Sequence, residues 1–245
     1  MSKKFLGLNI IVGKGEEKEL ERCLKSCTQG ELFDEMVVTQ TFEDENVRAV
    51  IEKYGARREF FAWVKDFSLA RNKSFSHSTS EMIIWLDSDD VIKPDDFKKL
   101  QELKPKIKDF DIVLIDYVYN HDERDNATLV LPRERIVRNC DYIKWHDPIH
   151  EYLNMDVPPN KILKTKIKID HYRVKNYDPS RNLDALRLAY GEGKCSPRLK
   201  FYFGKELSDC GYWEEAIKVL EPYIEEGVDF RDNMTVACIR LSKYY

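Results

Sequence analysis

Short apolar runs alternate with amphipathic stretches through the first hundred residues. Residues 5–12, 36–39, 58–61 and 81–86 are brief, β-branched or aromatic runs and read as strands. Between them, residues 16–27 place Leu20, Cys23, Leu24 and Cys27 on one helical stripe. Residues 44–54 read as a helix closed by Gly55, and residues 67–77 as a helix with Leu69, Ala70 and Phe75 inward. Strands alternating with helices of this length predict an α/β domain with a mostly parallel sheet.

The pattern changes after a helix at residues 95–103. Residues 111–119 and 128–131 read as strands joined by a polar hairpin loop at 121–126. Ile162, Leu163, Thr165, Ile167 and Ile169 alternate with lysines, which predicts a half-exposed antiparallel strand. The second half of the sheet is therefore expected to be mixed and peripheral. From residue 176 the chain reads as helical, with a helix pair at 198–206 and 213–225 and a further helix at 233–245. Phe201, Gly204, Leu207, Gly211, Tyr212, Ala216, Leu220 and Pro222 have the spacing of a tetratricopeptide repeat, and a plain helical hairpin fits the same residues. A lone repeat cannot bury its own face. Either it packs on the α/β part or the natural chain continues past Tyr245. The domain reading is 1–175 for the α/β part and 176–245 for the helices.

The strand at 81–86 carries the strongest chemical signal. Met82-Ile83-Ile84-Trp85-Leu86 stops in Asp87-Ser88-Asp89-Asp90. In open α/β sheets, ligands bind outside the carboxyl ends of strands. Asp87 and Asp89 could share a hard cation, whose shell substrate phosphates commonly complete. The same four residues are also good turn chemistry, and Lys93-Pro94-Asp95-Asp96 then opens a helix.

Composition narrows the class. The 245 residues are 42% hydrophobic and 34% charged, with a net charge of -4, which excludes a basic nucleic-acid coat. No apolar stretch reaches the ~18 residues of a membrane span. The N-terminus shows no signal-peptide pattern, and the six cysteines include no Cys-x-x-Cys, so a reduced, cytoplasmic protein is expected. Cys23 and Cys27 share a helix face as a metal or redox pair or as two small core residues. The second reading is favoured because free cysteine is among the most buried residue types.

The order of motifs resembles the inverting family 2 glycosyltransferases of the GT-A fold, particularly bacterial and phage members with C-terminal tetratricopeptide-like helices. The resemblance covers nearly the whole chain. It rests on Leu8-Asn9-Ile10-Ile11-Val12, Glu19-Leu20-Glu21-Arg22-Cys23-Leu24-Lys25-Ser26 and Asp34-Glu35-Met36-Val37-Val38. It continues through Asp66-Phe67-Ser68-Leu69-Ala70-Arg71-Asn72, Ile84-Trp85-Leu86-Asp87-Ser88-Asp89-Asp90, Ile149-His150-Glu151-Tyr152-Leu153 and Ile169-Asp170-His171-Tyr172.

The resemblance implies transfer of a sugar from a nucleotide diphosphate sugar, UDP-linked, with Mn2+ or Mg2+. Val12, Gln40, Thr41, Arg71, Asp87, Ser88 and His150 would then contact the donor, and Asp87, Asp89 and His171 the metal. The family has an Asp where Gln40 stands, although an amide can still pair with uracil N3–H and O4. Glu151 and Asp147 are the two candidates for the base. Trp145 and Tyr152 would stack on sugar or belong to the core. Related enzymes with helical extensions act on peptides, so a peptide or protein acceptor is expected. The basic stretches 133–138 and 161–175 leave a modified-nucleic-acid acceptor open, and the helical tail suggests a homodimer. A bacterial or phage-infected cytoplasm fits these expectations. The competing class is a degenerate domain serving as a scaffold.

Overall fold

The computed structural model describes residues 4–154, 156–173 and 180–245. The expected boundary at 175/176 and the end of the 161–175 basic stretch lie outside the described residues. In chain order the elements begin with β1 (Leu6–Val12), α1 (Glu17–Cys27), β2 (Glu35–Gln40), α2 (Glu45–Lys53) and β3 (Arg57–Phe60). They continue with α3 (Phe67–His77), β4 (Met82–Asp87), β5 (Asp90–Val91), α4 (Pro94–Leu103), β6 (Ile112–His121) and β7 (Ala127–Arg138). Then come β8 (Trp145–His146), β9 (Tyr152–Leu153), β10 (Ile162–His171), α5 (Arg181–Gly191), α6 (Pro197–Asp209), α7 (Trp213–Glu226) and α8 (Arg231–Leu241).

Two compact units emerge. One holds the large sheet, α1, α2, α4 and most of α3. The other holds α5 to α8 together with Lys65–Ser68 and His146–Tyr152.

In the first unit, eight strands run in the order β3-β2-β1-β4-β7-β6-β10-β5. β3, β2, β1 and β4 are mutually parallel, as the strand–helix alternation requires. The β6–β7 hairpin runs antiparallel and attaches to β4 through β7. β1 is buried along its whole length, as expected of a strand covered on both faces. Alternate residues feed opposite layers. Leu6, Leu8, Ile10, Met82, Ile84 and Leu86 pack with Leu20, Cys23, Leu24 and Cys27 of α1. Ile83 and Trp85 pack with Phe75 and Trp145 on the other side. Cys23 and Cys27 are thus core residues, at 0% and 1% exposure.

Asp44 caps α2 by accepting from the Asn46 and Val47 N–H groups, and Gly55 turns the chain at φ 65°. Pro94 opens α4 at its first turn, where a missing N–H costs nothing.

Three expectations change. β10 lies parallel to β6 and antiparallel only to the two-residue β5, so it is an inner strand of the mixed half of the sheet. Leu69 is 49% exposed. α3 instead buries Arg71, Ser74 and Phe75, a face fixed by Arg71 reaching Asp87 and by the Asn9 amide donating to the Ser74 carbonyl at 2.7 Å. Residues 133–138, named above as a basic stretch, are the end of β7. Arg135, Ile136 and Val137 are buried, and Arg138 Nε pairs with Asp111 Oδ1 at 2.5 Å.

In the helical unit, Leu183, Leu186, Leu199, Phe203, Leu207, Ala216 and Ile149 share one core. A second cluster joins Phe201, Leu220, Tyr223 and Ala237. At Gly204 α6 lies close against α7, since a Cβ there would run into the Leu220 side chain. Among the described residues, no helix is long and apolar enough to cross a membrane.

Candidate active site

β4 delivers the acids. Its register with β1 places Asp87 opposite Ile11, at the carboxyl end of the parallel strands. Asp87 Oδ1 accepts from Arg71 Nη2 at 2.6 Å, and its Oδ2 lies 3.7 Å from Arg135 Nη2. Desolvation opposes ionisation of Asp87. The Arg71 and Arg135 guanidiniums outweigh it and hold the carboxyl well below the usual carboxylate range.

The turn after β4 is built around Asp90, which is fully buried. Its Oδ2 accepts from the Asp87 N–H at 2.9 Å and faces Arg135 Nη1 at 3.0 Å, while its Oδ1 accepts from the Tyr117 hydroxyl at 2.8 Å. With these three polar contacts made, Asp90 sets the shape of the turn. Ser88 donates to Glu16 Oε2 at 2.7 Å, and the same oxygen accepts from the Gly13 N–H at 2.9 Å. Glu16 thereby ties the loop after β1 to the acidic turn. A Cβ at Gly13 would sit 2.9 Å from Glu16 Oε1, so a larger residue there would have to push that carboxylate aside.

His171 arrives from the far end of β10, where it pairs in register with Asp90. Its Nδ1 stands 3.3 Å from Asp89 Oδ1 and 3.4 Å from Asp90 Oδ1. Burial works against the imidazolium, but the two carboxylates push the His171 pKa up to about 10. One donor atom from each of Asp89, Asp90 and His171 lies within 4.8 Å of the others. Two carboxylates and an imidazole at this spacing suit a divalent cation such as Mn2+ or Mg2+. Asp89 and His171, both named from the sequence, stand 3.3 Å apart. Asp90 lies behind them with both of its oxygens already engaged, and the oxygens of Asp87 face the two arginines.

Val12, Gln40 and Thr41 lie together at the carboxyl ends of β1 and β2. The Val12 carbonyl accepts from the Thr41 N–H at 3.0 Å and from its hydroxyl at 2.9 Å. Gln40 is fully buried. Its Nε2 donates to the Asp44 carbonyl at 2.8 Å, and its Oε1 accepts from Arg58 Nε at 2.7 Å. One N–H and one lone pair of the amide are left over from these contacts.

Asp147, His150 and Glu151 belong to the helical unit. Their loop is tightly bent: Asp147 has φ 68° and His150 φ 54°, left-handed values that non-glycine residues hold only when their surroundings enforce them. Enforcement comes from Ile149 in the helical core, from the Phe67 N–H donating to the Pro148 carbonyl at 2.8 Å, and from Arg198 Nη1, 3.0 Å from Asp147 Oδ2. His150 stacks on Tyr202 with ring centroids 4.1 Å apart. Burial pushes the Asp147 carboxyl up, against the pull of Arg198. Glu151 is half-buried. Tyr152 is 42% exposed beside His146 and Arg198, whereas Trp145 is 2% exposed and belongs to the core of the sheet unit.

Asp90, Arg135, Tyr117 and Glu16 carry the architecture of the acidic centre, yet their sequence signals are weak. Arg135 sits in Arg-Glu-Arg, which reads as surface. Its one hint is that it falls on a strand whose next two residues are Ile and Val.

Comparison with known proteins agrees with this arrangement. Residues 10–161, more than half of the chain, match Glycosyl transferase family 2. Over 233 residues the chain is 25% identical to the SPbeta prophage-derived glycosyltransferase SunS of Bacillus subtilis (strain 168), covering 91% of this chain and 54% of that protein. The chain spans about half the length of this curated relative. Among solved structures, S. aureus TarS 1-349 in complex with UDP-GlcNAc superposes with a TM-score of 0.54 at 13% identity, over 90% of this chain and 81% of that one. Glucosyl-3-phosphoglycerate synthase from Mycobacterium tuberculosis, in complex with Mn2+, UDP and glucosyl-3-phosphoglycerate, gives a TM-score of 0.54 at 11% identity, over 79% and 81%. At these identities the likeness is one of fold, a GT-A type mixed α/β sheet. With the family match spanning more than half its length and the acid-bearing strand end within it, the chain belongs to glycosyl transferase family 2.

Proposed function

We propose that the chain is a divalent-cation-dependent, inverting glycosyltransferase that moves a sugar from a UDP-sugar to a peptide or protein acceptor. The observation that carries this reading is the meeting of Asp89 and His171 beside the Arg71–Asp87 pair at the end of β4. Asp89 and His171, with Asp90 behind them, would hold the cation. A bound Mn2+ or Mg2+ would supply Lewis acidity at the departing diphosphate. Arg71 would orient Asp87 and add positive charge near the pyrophosphate. Val12, Gln40, Thr41 and Ser88 would shape the nucleoside side. The UDP-GlcNAc complex of TarS and the Mn2+ and UDP complex of the mycobacterial synthase support the class of donor and metal.

On the acceptor side, Glu151 is the proposed base. It would take the acceptor proton as the new glycosidic bond forms with inversion. Asp147 is the second candidate; its tie to Arg198 argues for a structural part, while its raised pKa suits a proton acceptor. His150 would contact the donor. We propose the boundary near 175/176 and a tetratricopeptide-like character for the helices, which the close approach of Gly204 to Leu220 supports. An extended peptide suits such a helical surface, and a cytoplasmic setting suits the free cysteines.

A thermal-shift series with nucleotides, with and without Mn2+, tests the donor assignment, followed by a screen of UDP-sugars for hydrolysis. Stabilisation by UDP that requires the cation is the expected result. Equal stabilisation by UDP and by every other nucleotide diphosphate without metal would refute it.

A further inference from the structure

Arg135 is an unusual side chain to find in the middle of a strand. It is 1% exposed, and its guanidinium lies between the rings of Trp85 and Tyr117, 3.8 Å and 3.9 Å from their centroids. Nη1 donates to the Trp85 carbonyl at 3.2 Å and faces Asp90 at 3.0 Å, and Nη2 reaches toward Asp87 at 3.7 Å. Such a charge is costly to bury unless it is paired, and its partners are two of the three carboxylates of the acidic turn. Residues 87–90 carry three negative charges. Arg71 and Arg135 neutralise two of them from inside the protein, and the third, on Asp89, faces His171 at 3.3 Å.

We infer that Arg135 is a positioning residue that sets the charge of the cation site, holding Asp90 and the inner oxygen of Asp87 so that Asp89 is the carboxylate left for the ion. This rests on the cation site proposed above. A packing role alone would be filled by an apolar residue of similar length, because an aromatic slot accepts Met. A charge-setting role is not filled that way. Without the guanidinium, the centre carries one more negative charge within a few ångströms of the ion, and the ion feels it.

The test is Mn2+ affinity by calorimetry, without nucleotide, on the full chain and its variants. Arg135→Met is expected to bind Mn2+ about tenfold more tightly than the wild type, the effect of one poorly screened unit charge. Arg135→Lys keeps the charge and is expected within about twofold of the wild type. Asp90→Asn, which leaves Arg135 uncompensated, should bind about tenfold more weakly. Arg135→Met/Asp90→Asn removes one charge of each sign and should return to the wild-type value. If Arg135→Met does not fold, the recovery from Asp90→Asn to the double variant carries the same information. The inference is overturned if Arg135→Met binds Mn2+ no more tightly than the wild type, or if the double variant stays as weak as Asp90→Asn, which would make Asp90 a direct ligand. A wild type that does not bind Mn2+ at all would instead overturn the cation site itself.

Discussion

Arg71 on α3 and Asp87 at the end of β4 meet at 2.6 Å, with the guanidinium over the rings of Trp85 and Trp145 at 4.7 Å and 5.0 Å. The pair ties a helix to the strand that bears the acids. Arg71→Ala is expected to destabilise the chain by roughly 1–3 kcal/mol at pH 7, below the cost of breaking a fully buried pair because water reaches Asp87. Arg71→Lys should recover little, since an ammonium neither stacks nor forks. The Asp87 pKa is depressed on folding, so its contribution is present above the ordinary value near ~3.9 and lost as the pH falls below it. Urea unfolding of both proteins should therefore differ at pH 7 and converge in acid. A constant difference across that range would show that the pair is not ionic.

His171 works in the opposite direction. Its pKa is pushed up from the ordinary ~6.5 to about 10, so without metal its ion pairs add stability in full below pH ~6.5 and lose it as the pH rises through about 10. His171→Gln should cost stability at pH 6 and much less at pH 10.5. Coordination needs the neutral ring, so cation binding near pH 8 should release a proton. Calorimetry of Mn2+ binding in two buffers of different ionisation enthalpy reads that proton. An enthalpy independent of the buffer would remove His171 from the ligand set.

Gln40 tests the reading of the base. Its amide is oriented by Arg58 and the Asp44 carbonyl, which leaves one donor and one acceptor. Gln40→Ala is expected to weaken uridine nucleotides by roughly 1–3 kcal/mol while magnesium pyrophosphate binding changes little. Equal losses for both ligands would place Gln40 away from the base.

Gly204 reports on the helical unit separately. A Cβ there would run into the Leu220 side chain of α7, which would have to shift. Gly204→Ala should destabilise the helices by roughly 1–3 kcal/mol through overpacking. Circular dichroism melting would then show an earlier helical transition, and an unchanged melt would mean that α6 and α7 move apart without cost.

The parallel half of the sheet was legible because β1 to β4 alternate with helices and each strand is a short apolar run. Asp87, Asp89 and Arg71 were legible as chemistry, because a strand that ends in carboxylates leaves few bland readings once an arginine motif precedes it. β10 was misjudged because alternating lysines suggest an antiparallel edge, whereas its exposed lysines point away from an inner strand paired with both β6 and β5. The apolar pattern of β7 stops at residue 131 because Pro132 and three arginines interrupt it, although the strand runs on to Arg138. Pro132 is accommodated in the hairpin opposite Asp116, and Arg135 turns inward to acids that are distant in sequence. A local pattern cannot report a charge pair made across 45 residues of chain. The strained loop at 147–150 was likewise invisible, since its left-handed residues are Asp and His rather than glycine.

The most direct measurement is the melting temperature of wild type and Asp89→Asn with UDP, with Mn2+, and with both. Asp89 ends in a turn already shaped by Asp90, so the variant should fold. For the wild type, UDP and Mn2+ together are expected to stabilise far more than either alone, and for Asp89→Asn that synergy should vanish while the ligand-free melt stays within a few degrees. An Asp89→Asn protein that keeps the full cation-dependent UDP shift would contradict the assignment of this strand end as the nucleotide-sugar site.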